Sequence, residues 1–167
     1  MTDTDARKHP ALTDSQTGLP NRLHWETVYG IIFAAGDRGI PLTLMMVEVD
    51  DYESWPGWHN PEEANRAMLA TAQALASTTR QTDLVSRIDE YRFAFLLLDC
   101  NLPGGHLVAD RIDSLLDPVR EQTGLGFSIG VAAYNRDMLN PQDLVDAATG
   151  ALKEAQERGG NQIEFAR

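Results

Sequence analysis

The segment that most limits what this chain can fold into is Leu42 to Val49, LTLMMVEV, where only Thr43 and Glu48 interrupt an apolar run of strand length. A strand that is apolar on both alternating sets of side chains has no face to show to water, so it predicts a central strand covered from both sides. Amphipathic helices must supply that cover, and the sequence holds four candidates. Leu23, Val28, Ile31, Ile32 and Ala35 recur at roughly helical spacing after Pro20 and stop at Gly36 and Gly39. Ala64, Met68, Ala72 and Leu75 mark a second helix from Pro61 to about Thr79. Val108, Ile112, Leu115 and Val119 mark a third, with Pro103, Gly104 and Gly105 breaking the chain ahead of it. Leu144, Val145, Ala148, Leu152 and Ala155 mark a fourth, from Pro141 to Arg158.

Further strands are predicted at Leu84 to Ile88 and Phe93 to Leu98, joined through Asp89 to Arg92 as an antiparallel hairpin, then at Gly126 to Ala133 and Gln162 to Phe165. Strands alternating with helices, with one internal hairpin, give an α/β (α+β) domain in which helices flank a mixed central sheet. At 167 residues the chain fits one such domain. Residues 1–12 are expected to be a flexible lead-in and 13–167 the domain itself.

Several function classes are excluded early. No apolar run approaches the roughly 20 residues that span a bilayer, and MTDTDARKHP has no apolar stretch of the signal-peptide kind, so a cytoplasmic protein is expected. A net charge of -11 opposes both nucleic-acid polymers and anionic membranes. Cys100 is the only cysteine and the four histidines are scattered, so neither a disulfide, a bound metal nor another cofactor is expected. The cations are arginines apart from Lys8 and Lys153, which suits local bidentate recognition better than diffuse attraction.

Four separated segments resemble the GGDEF (diguanylate cyclase) domain family in order, from Asp14 to about Phe165. DSQTGLPNR (Asp14 to Arg22) is similar to D-x-L-T-G-L-x-N-R, with Gln16 in place of leucine. VEVDDYE (Val47 to Glu53) resembles the metal-bearing strand end, SRIDEYRFAFLL (Ser86 to Leu97) the signature hairpin, and FSIGVAA with ALKEAQERGGNQI the closing strand and helix. The resemblance implies the nucleotidyl cyclase and polymerase-palm arrangement. For an active member it also implies joining two GTP molecules with divalent metal held by two carboxylates.

The residues that chemistry needs are replaced. The vestigial metal position keeps Glu48, with Asp50 beside it, but the second ligand position holds Tyr91, a neutral phenol at pH 7. The paired glycines of the signature are Asp89 and Glu90, whose carboxylates repel phosphate, and the following acidic position is Arg92. The guanine-reading asparagine and aspartate fall at Pro56 and Asn65, and the phosphate-binding lysine and arginine at Gln156 and Gly160. A catalytically inactive regulatory module is therefore expected, with Asp50 and Asp51 bracing the loop. The alternatives are an active cyclase with an atypical metal site around Glu48 and Asp50, and a GTP-binding allosteric domain.

The family's product-inhibition site is an R-x-x-D plus a later arginine. Arg80, Asp83 and Arg111 match it, so cyclic di-GMP is an expected ligand. The altered turn and Trp55-Pro56-Gly57-Trp58 offer a docking surface for a partner domain or a second copy in a homodimer, against the plainer reading that the tryptophans seal a core edge. Composite members of the family imply a neighbouring signalling domain, for instance a cyclic di-GMP phosphodiesterase domain.

Overall fold

A computed structural model describes residues 9–167. The apolar run forms β1 (Leu42–Asp50) at the centre of a five-stranded sheet. β1 pairs antiparallel with β3 (Arg92–Leu98) on one side and with β4 (Gly126–Ala133) on the other. β2 (Leu84–Arg87) closes the hairpin with β3 at one edge, and β5 (Ile163–Phe165) runs parallel to β4 at the other. The sheet order is β2-β3-β1-β4-β5, the mixed sheet with a hairpin that the patterning predicts.

Alternation along β1 sorts two cores. Met45, Val47 and Val49 face helices α2 (Pro61–Ala76) and α3 (Leu102–Thr123), while Leu42, Leu44 and Met46 face α1 (Arg22–Asp37) and α4 (Pro141–Glu157). Glu48 falls in the second set. It stands opposite Arg92 on β3 and Ser128 on β4.

Two local expectations change. In α1 the buried stripe is Trp25, Tyr29, Phe33 and Gly36, while Leu23 and Ile31 are exposed. The aromatic residues at i, i+4 and i+8 bury more surface than the aliphatic set, so they take the inward face. Pro103, Gly104 and Gly105 do not precede α3; they form its first turn, with Asn101 as N-cap accepting from the Gly104 N–H. Proline is tolerated there because the first N–H groups have no intrahelical partner. A Cβ at Gly105 would lie 2.9 Å from the Thr43 methyl, so the glycine lets α3 start against β1.

Of the expected lead-in, residues 1–8 lie outside the described residues. Pro10–Leu12 form a 3₁₀ turn tied to the domain by hydrogen bonds from the Asn21 N–H to the Leu12 carbonyl and from its side-chain amide to the Ala11 carbonyl. No helix among the described residues is long and apolar enough to cross a membrane.

Candidate functional site

The end of β1, the β2–β3 turn and the loop from Asp14 meet at one rim of the sheet, and arginines organise it. Asp14 accepts hydrogen bonds from the Thr17 N–H (2.8 Å) and hydroxyl (2.6 Å) and pairs with Arg87 Nη1 at 3.1 Å. Burial pushes the Asp14 carboxyl upward, but the Thr17 hydrogen bonds and the Arg87 charge outweigh it and hold the group below its ordinary value. Arg87 also donates to Gln16 Oε1 (2.6 Å) and to the Glu90 carbonyl (2.7 Å), so the entry motif clamps the turn. Gln16 in turn donates to Asn65 Oδ1 at 3.0 Å. Both residues depart from the family pattern, and each satisfies the other.

A second set of side-chain bonds forms at Glu48. Glu48 accepts from Arg92 Nε at 2.5 Å through one carboxylate oxygen and from Gln156 Nε2 at 2.8 Å through the other. Both partners occupy positions where the family pattern has a different residue type. This donor set does not fit a divalent cation. A guanidinium already neutralises the carboxylate, and the neighbouring position offers a phenol rather than a hard anionic oxygen. Among the described residues no cluster of three or more His, Cys, Asp or Glu side chains is arranged to hold a metal.

Asp50 points elsewhere, accepting from the Ser128 hydroxyl (3.0 Å) and the Asn161 N–H (2.7 Å). It braces the chain between α4 and β5 rather than the loop that follows β1. Gly160 has φ +72°, and a Cβ there would sit 3.0 Å from the same carboxylate, so the family's arginine position has become a tight turn that suits glycine. Asp51 has φ 47°, left-handed backbone where β1 turns into the loop, and its side chain makes no cap hydrogen bond.

The signature turn is closed by Asp89, whose N–H donates to the Arg92 carbonyl and whose carboxylate accepts from the Glu90 N–H. Tyr91 packs over the loop that follows β1, its ring 4.7 Å from Tyr52 and 5.9 Å from Trp58. Burial, then the charge and hydrogen bonding of Glu90 and Glu53, push its phenol up to about 12. The surface beside Glu48 is lined by Asp51, Glu53 and Tyr91, a repulsive surround for a triphosphate.

The tryptophan loop divides. Trp55 is buried, stacks on Tyr52 and donates its indole N–H to the Thr123 carbonyl (2.8 Å), so it seals the core and offers no docking surface. Gly57 lies against its ring, where a Cβ would come within 2.2 Å. Trp58 and Tyr91 are half-buried and Pro56 is exposed, so part of this loop faces solvent.

Arg80 and Asp83 come together in the turn between α2 and β2, where the Asp83 carboxylate accepts from the Arg80 N–H (2.9 Å) and the Asp83 N–H donates to the Arg80 carbonyl. Burial raises the Cys100 thiol, on which the charges of Asp83 and Arg80 act in opposite directions. Arg111 is exposed on α3, roughly 14 Å along the axis from the helix start at Leu102. Neither arginine side chain has an ion pair among the described residues.

Sequence reasoning missed the clamp of Arg87 and the roles of Gln156 and Asn161. Asn161 accepts through Oδ1 from Arg120 Nε (2.7 Å) and the Phe127 N–H (3.2 Å). Gln156 was legible only as a missing lysine, because its partner is distant in sequence.

A hairpin beside a central strand, with helices on both faces of a mixed sheet, defines the class of nucleotidyl cyclase-like palm domains. Residues 11–162 match the family model described as diguanylate cyclase, GGDEF domain, and the chain belongs to that family. Its relatives include the probable diguanylate cyclase DgcC of Escherichia coli K12, 27% identical over 92% of this chain and 43% of that protein. Diguanylate cyclase A of Treponema denticola is 22% identical over 81% of this chain and 38% of its own length. The chain thus spans less than half of these relatives. Among solved structures, diguanylate cyclase SiaD of Pseudomonas aeruginosa, in complex with its activator SiaC, superposes with a TM-score of 0.86 at 24% identity, over 98% of this chain and 65% of that one. The GGDEF domain of DgcB from Caulobacter crescentus, in complex with c-di-GMP, gives 0.82 at 16% identity over 95% and 97%.

Proposed function

We propose that this GGDEF domain is a catalytically inactive regulatory module of cyclic di-GMP signalling, which binds cyclic di-GMP through Arg80, Asp83 and Arg111 and transmits its state to a protein partner. The observation that carries the first part is the Glu48–Arg92–Gln156 network. Metal-assisted phosphoryl chemistry needs carboxylates free to neutralise the metal and through it the phosphates. Here the retained carboxylate is committed to a side-chain cation through one oxygen and to Gln156 through the other.

Support for the ligand comes from the chemistry of the turn at Arg80. A guanidinium grips a guanine edge or a phosphate bidentately, and an acidic neighbour accepts from guanine nitrogens. Both arginine side chains are uncommitted among the described residues. The resolved complexes of DgcB with c-di-GMP and of SiaD with SiaC make a cyclic dinucleotide and a protein reasonable partners for this fold.

The deciding experiment pairs calorimetric titration of cyclic di-GMP with a turnover assay on GTP and Mg²⁺. Saturable binding, lost at least tenfold in Arg80→Ala and in Arg111→Ala, with no product from GTP, is the expected result. Product formation would overturn the inactive reading; absence of heat at high ligand concentration would overturn the ligand reading.

A further inference from the structure

Arg80, Asp83 and Arg111 offer a ligand donors and an acceptor, but a guanine also has two apolar faces to cover. Small-molecule sites are lined mostly by apolar groups, with a few polar ones fixing orientation. Among the described residues the exposed large hydrophobic side chains are Leu23, Ile31, Ile40, Leu102, Leu107 and Leu139. Leu23, Ile31 and Ile40 belong to α1 and the loop after it, and Leu139 to the loop before α4, so these four go with the opposite helical layer. Leu102 and Leu107 are on α3, and Leu107, at 73% exposure against 36%, is much the more open of the two.

Register brings this part of α3 to the ligand residues. β2 begins at Leu84 opposite Leu96 of β3, so the Arg80–Asp83 turn runs alongside the segment where β3 ends and α3 begins. The charges of Asp83 and Arg80 both act on the Cys100 thiol, and a Cβ on Gly104 would lie 3.1 Å from Cys100 Sγ. Steps of three and then four residues from Gly104 reach Leu107 and Arg111, which keeps all three on one face of the helix. His106 takes a different flank, its ring stacked on Phe165 of β5 with centroids 3.5 Å apart. Leu107 therefore stands between the Arg80–Asp83 turn and Arg111, roughly 7.5 Å along the axis from Leu102.

We propose that Leu107 is the apolar contact of the cyclic di-GMP site, its side chain covering one face of a guanine whose polar groups are held by Arg80 and Asp83. This rests on the reading that cyclic di-GMP binds through Arg80, Asp83 and Arg111, and it supplies the contact those three residues lack. The leucine is wet in the free protein, and a base laid against it removes apolar surface of both partners from water.

The test is calorimetric titration of cyclic di-GMP into Leu107→Ser and Leu107→Met, together with methyl spectra of leucine-labelled protein. Leu107→Ser should lose about tenfold in affinity, the order expected for uncovering most of a leucine side chain. Leu107→Met, apolar and similar in volume, should stay within about threefold. The Leu107 methyl signals, assigned by their absence from Leu107→Ser, should show intermolecular nuclear Overhauser effects to guanine H8. Binding that Arg80→Ala weakens but Leu107→Ser leaves unchanged, or Leu107 methyl groups without such effects in the saturated complex, would overturn this inference and leave the ligand reading standing. Absence of heat from the unchanged protein at high ligand concentration would overturn both.

Discussion

Glu48 is a half-buried carboxylate paired with a guanidinium, and single substitutions can measure that pairing. Arg92→Ala leaves the half-buried carboxylate with one neutral donor and should cost about 1–2 kcal/mol in chemical denaturation. Glu48→Gln in the Arg92→Ala background should cost less than the two single effects combined, because the uncompensated charge is gone. Additive values would mean the pair is a surface contact only. Tyr91 makes a separate prediction. Its phenol is raised from 10.0 to about 12, so the folded state holds this proton more tightly than the unfolded chain. Its contribution is complete below about 10 and is lost as pH rises toward about 12. Phenolate absorbance should show a late-titrating fraction that falls by one tyrosine in Tyr91→Phe, since Tyr29, Tyr52 and Tyr134 are raised as well.

At the scale of elements, the contact of α4 with β4 is set by Gly130, where a Cβ would fall 2.2 Å from the Leu152 backbone nitrogen and 2.3 Å from the Ala148 carbonyl oxygen. Backbone cannot yield as a side chain can, so Gly130→Ala should cost about 3 kcal/mol and lower the thermal midpoint sharply. The entry loop is joined to β2 by Asp14 and Arg87. Because the Asp14 carboxyl is depressed in the fold, its contribution is present above its ordinary value of 3.8 and lost as pH falls below it. Asp14→Asn should flatten the acid limb of a stability-versus-pH profile. The elements themselves were legible in the sequence wherever one period dominated, as in β1, α2 and α4. In α1 two apolar sets competed, and only the packing partners decide between them. The start of α3 was hidden because proline and glycine break helices in their interior but not in the first turn. At the candidate site the positions of Glu48, Asp50 and the turn were readable, while the bonds from Gln156 and Arg87 were not. Those connect residues distant in sequence, whose side-chain types alone give no sign of pairing.

Across the whole molecule, the departures from the family pattern form connected sets rather than isolated losses. Arg92 and Gln156 both donate to Glu48, Gln16 donates to Asn65, and Gly160 accommodates Asp50. Restoring the turn alone should therefore not restore chemistry. A variant carrying Asp89→Gly, Glu90→Gly, Tyr91→Asp and Arg92→Glu should gain Mn²⁺ binding, visible by electron paramagnetic resonance, yet form no product from GTP, since Gln156, Gly160 and Pro56 remain. Turnover by that variant would place the whole defect in the hairpin. The guanidinium of Arg92 has one more consequence. A counter-ion built into the polypeptide cannot be diluted, chelated or exchanged. The charge on Glu48 is thus matched as the chain folds, by a group that arrives with it.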